Sequence, residues 1–388
     1  MIQVGIIGAG AMGSGIAQVA AQAGHKVVLF DTQKAALERS ETKLKKILAR
    51  LVEKGKFSEE KAKSTADNIL YSVDLEYFKS CEFVIEAIVE NLDIKQNVFK
   101  NIEAIVSEDC VLASNTSSLS ITSIAGACEK PERILGVHFF NPAPLMPLVE
   151  IIPALQSDPE LVKQTRSMVD SWGKVTVLAK DTPGFIVNRL ARPFYGEAIR
   201  ILEEGKANIA TIDWALTEVG GFRMGPFTLT DFIGHDVNYV VTETVFKSFF
   251  YDPRYKPSFS QKRLVEAGRL GRKTGHGFYN YAENAKNPEV VEDNILAEQI
   301  TNRVVLMLIN EAADALFLNI ATAKDLDLAM TKGVNYPKGL LAWANEWGIE
   351  RVYQGLMDLY ELYREDRYRP SPIFKLMMKQ GQTTFDIK

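Results

Sequence analysis

Residues 4–31 read VGIIGAGAMGSGIAQVAAQAGHKVVLFD, and this stretch decides the fold. It begins within a short apolar run, residues 3–7, that is typical of a buried parallel strand. The segment GAGAMG follows, and then an alanine-rich segment, Ser14 to Ala23, that we expect to be a helix. The apolar run Lys26 to Phe30 predicts the next strand. The stretch is therefore a strand, loop, helix and strand, which is the opening of a doubly wound α/β fold.

The loop has the spacing GxGxxG, and its three glycines have separate physical roles. Gly8 allows a tight turn, Gly10 leaves space for a pyrophosphate against the backbone, and Gly13 lets helix and strand pack closely. The backbone N–H groups that open the helix, around Ala11 and Met12, would then face the phosphates. The spacing and its flanking elements together predict a dinucleotide site.

Asp31 ends the second strand, where a dinucleotide-binding fold carries an acid. Its carboxylate can accept hydrogen bonds from both ribose hydroxyls, and its charge would repel a 2′-phosphate, so NAD is favoured over NADP. The structural alternative is a glycine-rich turn with a surface aspartate, because GxGxxG alone is a weak signal. The strand and helix around the loop favour the dinucleotide.

The composition is that of a soluble globular protein with two or three domains. The chain has 388 residues, of which 46% are hydrophobic and 24% charged. A net charge of -4 gives no reason to expect nucleic acid or an anionic membrane as partner. Three cysteines without a CxxC pair predict neither a disulfide framework nor a metal site. With no basic leader and no bilayer-length apolar run, we expect a cytoplasmic protein.

Four further apolar runs predict strands of the same sheet: FVIEA at 83–87, VLAS at 111–114, RILGVHFF at 133–140 and VTVLA at 175–179. Ligands of doubly wound sheets bind beyond the carboxyl ends of the strands. Polar side chains follow three of the predicted strands at that position. They are Glu90-Asn91, Asn115-Thr116-Ser117, and His138 with Asn141.

Five segments together resemble the 3-hydroxyacyl-CoA dehydrogenases, over about residues 1–285. The segments are GIIGAGAMGSGIAQVAAQAGHKVVLFD, EAIVENLDIK, SNTSSLSITSIA, GVHFFNPAPLMPLVEII and DTPGFIVNRL. The resemblance implies NAD-dependent, reversible oxidation of an (S)-3-hydroxyacyl-CoA to the 3-ketoacyl-CoA. Sugar-acid dehydrogenases related to lambda-crystallin share parts of this pattern. An enzyme for a free hydroxy acid or sugar acid is therefore the alternative.

The resemblance also implies a role for each matching residue. His138 matches the catalytic base, and Glu150 matches the carboxylate paired with it. Ser117 matches a hydroxyl that contacts substrate near the nicotinamide, and Asn188 matches an amide that helps to hold the substrate. Lys54 falls near the family's contact with coenzyme A. Further cofactor contacts are implied at Glu90, Lys95, Ser117, Asn141 and Lys273.

Acid–base chemistry supports the assignment of His138. Oxidation of a secondary alcohol needs a base for the O–H proton while hydride leaves the carbon, and a neutral imidazole suits this task. Glu150, on the following LVEII run, could face the ring across adjacent strands and stabilise the imidazolium. The structural alternatives are a core histidine, a helix N-cap for Ser117, and a cap or turn amide for Asn188.

The second half of the chain contains an internal repeat. The segment NRLARPFYGEAIRILEEGKANIATIDWAL, from Asn188, matches NRVVLMLINEAADALFLNIATAKDLDLAM, from Asn302. The segments GPFTLTDFIG and YPKGLLAWANEWG continue the register with a short insertion. This pattern predicts a helical domain in two tandem copies. The predicted domains are an NAD-binding domain at 1–182, a first helical copy at 183–283 and a second copy at 300–388, with a polar linker at 282–299.

The resemblance implies a structural role for the second copy of the helical domain. Short members of the family carry one helical domain and dimerise through it, so residues 300–388 would occupy the place of a partner's domain. We expect a monomer, or a homodimer through the helical domains. Candidates for shaping an acyl-chain pocket are Arg192, Arg223 and the aromatic residues within 245–255.

Overall fold

An eight-stranded sheet forms the first half of the protein. The computed structural model describes residues 2–387, in two compact units, one ending at Thr182 and the other starting at Pro183. The strands are β1 (Gln3–Ile7), β2 (Lys26–Phe30), β3 (Ile69–Ser72), β4 (Phe83–Glu86), β5 (Val111–Ser114), β6 (Ile134–Phe139), β7 (Leu148–Pro153) and β8 (Val175–Leu178). Their order is β3-β2-β1-β4-β5-β6-β7-β8, and only the β6–β7 pair is antiparallel. The predicted α/β fold class is confirmed.

Six helices belong to the same unit: α1 (Ala11–Gln22), α2 (Lys34–Glu53), α3 (Glu59–Asp67), α4 (Leu92–Glu103), α5 (Ile121–Ala125) and α6 (Pro159–Ser171). The strand order reverses between β1 and β4, which is the crevice where doubly wound sheets bind nucleotides. The apolar core lies between the strands and helices α1, α2 and α6, and includes Ile6, Leu29, Ile85 and Val137. Burial of these alternating strand residues fixes which side chains remain at the strand ends.

The predicted strands agree with the structure apart from β3. The edge strand β3 was missed because its four residues, Ile69–Ser72, do not form a buried apolar run: Leu70 is exposed and Tyr71 half-buried. The predicted helix from Ser14 begins earlier, at Ala11, because the last three residues of the glycine loop already belong to its first turn.

The second unit is helical. Its helices are α7 (Val187–Leu190), α8 (Arg192–Glu203), α9 (Ile209–Trp214), α10 (Pro226–Ile233), α11 (His235–Ser248), α12 (Phe259–Glu266), α13 (Asn294–Phe317), α14 (Ala323–Gly333), α15 (Leu340–Trp347), α16 (Ile349–Tyr363) and α17 (Pro372–Lys379). Helix α13 begins inside the segment predicted as a linker, because Asp293 caps it with hydrogen bonds to two backbone N–H groups. The irregular part of that segment is therefore confined to residues 282–293.

Backbone features recur in this unit at a constant spacing of 114 residues. Left-handed or otherwise positive φ angles occur at Gly205 and Asn319, Gly221 and Asn335, Gly234 and Gly348, and Phe250 and Arg364. Asp213 accepts the first N–H groups of α10, and Asp327 accepts those of α15. The spacing is unbroken from α8 to α16, so the short insertion that we expected in this register is not needed.

Candidate active site

The glycine loop has the geometry of a phosphate cradle. Gly8 has a φ of +105°, and a Cβ on Gly13 would lie 1.8 Å from the Gly8 carbonyl oxygen. A Cβ on Gly10 would meet nothing within 4 Å, so the space beside this residue is open. Helix α1 begins at Ala11 with no side-chain cap and no acid in its first turn. The partial positive charge of the helix terminus is therefore left for an anion, and the loop fits a pyrophosphate.

Asp31 is fixed against this loop by two backbone hydrogen bonds. Its Oδ2 accepts from the Ala9 N–H at 2.8 Å and its Oδ1 from the Gln33 N–H at 2.8 Å. The carboxylate is half-buried. It therefore stands at the end of β2 with a set orientation, and its remaining lone pairs suit the two hydroxyls of a ribose.

Glu90 accepts several hydrogen bonds from the hydroxyl-rich segment that follows β5. Its Oε1 accepts from Thr116 Oγ1 at 2.6 Å, from the Ser117 N–H at 3.0 Å and from Ser118 Oγ at 3.0 Å. Burial by itself would raise the pKa of Glu90, but these donors and the Lys95 ammonium lower the pKa overall. Glu90 is therefore held as a carboxylate, and it positions the backbone that carries Ser117.

Glu86 is a site residue that the sequence reasoning missed. It is 1% exposed at the end of β4, and its carboxylate accepts from Lys95 Nζ at 2.5 Å and from Ser114 Oγ at 2.7 Å. Lys95, also 1% exposed, reaches Glu90 at 3.4 Å as well. Lys95 therefore lies beneath Glu90 as a buried bridge between two acids. The available signal was the acidic residue in the otherwise apolar FVIEA strand.

His138 and Glu150 form the buried pair at the end of β6. They are register partners across the antiparallel β6–β7 pair, and His138 Nδ1 lies 2.7 Å from Glu150 Oε2. Glu150 is completely buried, whereas His138 is 6% exposed. The ring of Phe140 packs against the imidazole at a centroid distance of 4.5 Å. The carboxylate and Phe140 therefore set the orientation of the imidazole, with Nε2 on the side opposite to Glu150.

The segment between β6 and β7 is held by Lys174. Its Nζ donates to the carbonyl oxygens of Ala143 at 2.6 Å and Met146 at 2.9 Å. Asn115, at the end of β5, accepts from the Phe139 N–H at 2.8 Å. Asn141 itself is exposed. The backbone that follows the histidine is therefore fixed by side-chain hydrogen bonds.

The structure excludes the cap alternative for Ser117. The N-cap of α5 is Ser120, whose Oγ accepts from the Ser123 N–H at 3.2 Å. Asp181 accepts the N–H groups of the next two residues. Ser117 instead lies half-buried beside Glu90, with its Oγ 3.4 Å from the carboxylate. Its hydroxyl is thus presented at the strand ends.

Two of the predicted contact residues belong to the second unit, and a third follows helix α2. Asn188, in α7 of the second unit, is half-buried, and within residues 2–387 no hydrogen bond of its carboxamide is found, so it caps no helix or turn. Lys273, in the same unit, pairs with Asp236 at 2.6 Å. Lys54 follows the last turn of α2, is exposed, and shares no hydrogen bond with the strand-end residues.

The other three histidines have structural contacts. His25 accepts from the Trp172 indole N–H at 2.8 Å, and burial lowers its pKa. His235 lies 2.7 Å from Asp231 and is completely buried. His276 lies 3.0 Å from the carbonyl oxygen of the next residue. Of the four, only His138 lies at the carboxyl ends of the parallel strands.

Residues 2–387 contain neither a metal-binding cluster nor a membrane-spanning helix. No three histidine, cysteine, aspartate or glutamate side chains converge in a way that would hold a metal ion. No helix in this range is both long and apolar enough to cross a membrane.

The comparisons with known proteins identify the family. The NAD-binding domain of the 3-hydroxyacyl-CoA dehydrogenases matches residues 3–182, and the C-terminal domain of the same enzymes matches residues 184–281 and again 300–384. The chain belongs to this family. It is accordingly an NAD-dependent dehydrogenase, which agrees with the geometry of the glycine loop and Asp31.

Individual relatives match over the whole chain or over its first three quarters. A 3-hydroxyadipyl-CoA dehydrogenase of Escherichia coli is 36% identical, with 96% of each chain covered. A probable 3-hydroxybutyryl-CoA dehydrogenase of Bacillus subtilis is 42% identical over 72% of this chain and 98% of its own. The crystal structure of an E. coli 3-hydroxybutyryl-CoA dehydrogenase superposes with a TM-score of 0.93 at 35% identity, covering 98% and 99% of the two chains.

Proposed function

We propose that the protein interconverts an (S)-3-hydroxyacyl-CoA and the corresponding 3-ketoacyl-CoA, with His138 as general base. The observation that carries the proposal is the buried pair of His138 Nδ1 and Glu150 Oε2 at 2.7 Å. The pair lies in the sheet whose glycine loop and Asp31 suit NAD. The acyl-CoA substrate and its stereochemistry follow from the family alone.

The acid–base role follows from the geometry of the pair. Glu150 accepts a hydrogen bond from the Nδ1–H group. The neutral imidazole then carries its lone pair on Nε2, where it can take the proton of a substrate hydroxyl. NAD, when bound, supplies the acceptor for the hydride that leaves the same carbon. The buried carboxylate then stabilises the imidazolium. In the reducing direction His138 returns the proton to the oxygen.

Two further residues are proposed to position the substrate. The Ser117 hydroxyl, held beside Glu90, would donate to the oxygen of the reacting carbon. The Asn188 carboxamide, which makes no cap, would hold the same part of the substrate. Glu90, Asn141 and Lys273 are proposed cofactor contacts, and Lys54 a contact of coenzyme A. For Lys273 this role requires exchange of its ion pair with Asp236. Lys95, which is 1% exposed, would act through Glu90 and not by direct contact, which corrects the role expected for it.

The helical unit is proposed to be a tandem duplication, with copies at 183–283 and 300–388. The recurrence of backbone features at a spacing of 114 residues supports this proposal, and so do the two matches of the C-terminal domain. Contacts between the two segments are reciprocal. Arg189 pairs with Glu311 at 2.6 Å, and Arg303 pairs with Glu197 at 2.9 Å. Such reciprocity is the property of a two-fold interface, here formed within one chain.

The test of the proposed reaction is oxidation of NADH with acetoacetyl-CoA, compared with free acetoacetate and with NADPH. Turnover that requires the thioester and NADH is expected. His138→Gln should lower kcat by about 10²- to 10⁴-fold, since a general base contributes this much, while the Kd of NADH stays unchanged. His276→Gln, which removes a histidine far along the chain, is the matched control and should retain activity. Turnover of the free acid instead would assign the protein to the sugar-acid relatives.

A further inference from the structure

The second unit contains a cavity of about 410 Å³. Residues of both helical segments line it, among them Arg192, Tyr195, Tyr255, Lys256 and Tyr363. We call it the Arg192 cavity. Arg223, the other arginine that the sequence suggested for an acyl pocket, is exposed and does not line it.

Arg192 is a buried cation without a carboxylate partner among residues 2–387. It is 7% exposed. Its Nε donates to the Asn188 carbonyl oxygen at 2.9 Å, its Nη1 donates to Thr242 Oγ1 at 3.0 Å, and its guanidinium lies 5.0 Å from the Tyr195 ring centroid. Burial lowers its pKa. Because a buried charge is costly unless it is paired, this guanidinium is poised for an anion.

Most other charged residues of the cavity have an ion-pair partner. Arg200 pairs with Glu197, Arg254 with Asp252 and Asp314, Arg367 with Glu365, and Glu204 with Arg303, while Glu203 accepts from Ser258 and Ser260. Lys256, which is exposed, is the remaining cation of the lining that has no ion pair within the described residues. Arg192 and Lys256 outnumber Glu203, the lining carboxylate without an ion pair among residues 2–387, so the cavity keeps an excess of positive charge.

The internal repeat shows that packing alone does not require this cation. At the spacing of 114 residues, Arg192 corresponds to Leu306 and Thr242 corresponds to Leu356, and both leucines are buried. The equivalent place in the second segment is thus built from two apolar side chains. An arginine and a hydroxyl replace them only in the segment that also contains Asn188.

We propose that the Arg192 cavity binds a carboxylate, and that this is the distal carboxylate of a dicarboxylic acyl chain on the thioester. This inference rests on the proposed function. Arg192 lies next to Asn188, because its Nε donates to the Asn188 carbonyl oxygen at 2.9 Å. A chain held near Asn188 therefore needs only a few further carbon atoms to reach the guanidinium. Glu203, whose described hydrogen-bond donors are the hydroxyls of Ser258 and Ser260, disfavours a multiply charged phosphate more than a singly charged carboxylate.

The test compares two thioesters of equal chain length, 3-ketoadipyl-CoA and 3-ketohexanoyl-CoA, which differ in a terminal carboxylate or methyl group. The wild-type protein should prefer the first. Arg192→Leu should lower kcat/KM for 3-ketoadipyl-CoA by about 10- to 100-fold, the range expected for losing a hydrogen-bonded charge pair. The same variant should change kcat/KM for 3-ketohexanoyl-CoA by no more than about twofold, since that acyl chain has no carboxylate to pair with Arg192.

Two variants keep the result interpretable. Arg192→Leu with Thr242→Leu reproduces the apolar pair of the second segment, so it should fold even if the single variant does not. Arg269→Gln removes an exposed charge of the same unit, outside the cavity, and should leave kcat/KM unchanged for both thioesters. Equal losses on both thioesters would overturn the proposal, because Arg192 would then be structural.

Calorimetry separates this inference from the proposed reaction. Free adipate should bind the wild-type protein and lose affinity in Arg192→Leu, and this readout does not depend on turnover. Adipate binding without a preference between the thioesters would retain a carboxylate site but overturn its assignment to the substrate. Binding of inorganic phosphate in preference to adipate would overturn the site. Binding of adipate with turnover of free acids alone would refute the proposed function and leave the carboxylate site standing.

Discussion

Glu150 is the single residue on which the proposed base depends most. It is completely buried, faces His138 at 2.7 Å, and replaces solvent as the partner of the imidazole. A neutral amide at this position could not stabilise an imidazolium, and it could hold the ring in the wrong tautomer.

Glu150→Gln is therefore expected to lower kcat by about 10²- to 10⁴-fold at unchanged NADH affinity, by the logic of the acid behind a catalytic histidine. Steady-state kinetics and NADH fluorescence titration measure the two quantities. Glu160→Gln, on the exposed face of α6, is the matched control. A Glu150→Gln variant with normal kcat would show that the pair serves folding alone.

Lys174 shows how a half-buried charge can hold a loop. Its two hydrogen-bond acceptors are carbonyl oxygens of the segment between β6 and β7, and burial lowers its pKa to about 8. In the unfolded chain a lysine has a pKa of about 10.4. Between these two pKa values the unfolded chain binds more protons at this residue, so its contribution to the free energy of unfolding rises with pH.

The free energy of unfolding of the wild-type protein minus that of Lys174→Met should therefore be larger at about pH 9.5 than at about pH 7. Urea denaturation at both pH values measures it. Lys180→Met, an exposed lysine nearby in sequence, should show no such dependence. A difference that falls with pH would contradict a lowered pKa for Lys174.

At the scale of the element, the glycine loop separates the requirements of folding from those of binding. Gly13 has no room for a side chain, because a Cβ would lie 1.8 Å from the Gly8 carbonyl oxygen. Gly10 has a φ of -70°, which any residue adopts, and open space around it. Only a bound pyrophosphate would give Gly10 a neighbour.

The two alanine substitutions should thus have different effects. Gly13→Ala should lower the free energy of unfolding by about 3 kcal/mol or more, since backbone must move. Gly10→Ala should change it by less than about 1 kcal/mol but weaken NADH binding by about tenfold or more, equal to about 1.4 kcal/mol. Thermal unfolding and NADH titration distinguish them. Unchanged NADH affinity in Gly10→Ala would place the pyrophosphate elsewhere.

At the scale of the whole molecule, the helical unit is held by two reciprocal clusters of buried charge. Arg189 and Tyr255 reach Glu311 in the later segment. Arg303 reaches Glu197 in the earlier one, with Tyr368 donating to the same carboxylate at 2.9 Å. Each glutamate is buried, so its loss would remove a buried acceptor from the cluster, while Arg189 would keep Asp314 at 3.2 Å and Arg303 would keep Glu204 at 2.7 Å.

Glu311→Ala should lower the free energy of unfolding by about 1–3 kcal/mol, because Arg189 Nε and the Tyr255 hydroxyl lose their buried acceptor while Asp314 still pairs with Arg189. The double variant Arg189→Met with Glu311→Leu should lower the free energy of unfolding by less, since both partners of the pair are then apolar and Asp314 keeps its ion pair with Arg254. Glu266→Ala, which breaks an exposed pair with Lys262, should cost less than about 1 kcal/mol. Urea unfolding measures all three. A double variant that is less stable than Glu311→Ala would contradict a dominant desolvation cost.

Much of the architecture could be predicted because the signals are local. The glycine spacing, the apolar runs of β1 and β2 and the acid at Asp31 lie within one short stretch, and each acts through its own backbone. The strand-end polar residues could likewise be placed, because parallel strands present their carboxyl ends at one edge. The edge strand β3 was not predicted, since two of its four side chains are exposed or half-buried and the strand does not form a buried apolar run.

The sequence by itself determined the α/β class, the NAD-binding loop, the family and the candidacy of His138, since these depend on residue type at short spacing. Only the tertiary structure brought His138 and Glu150 into register, twelve residues apart on antiparallel strands. It alone placed Glu86 and Lys95 beneath Glu90, and it alone left Arg192 buried without an acid. The reason is physical. Pairing and burial depend on which distant residues the fold brings into contact, and no local spacing encodes that.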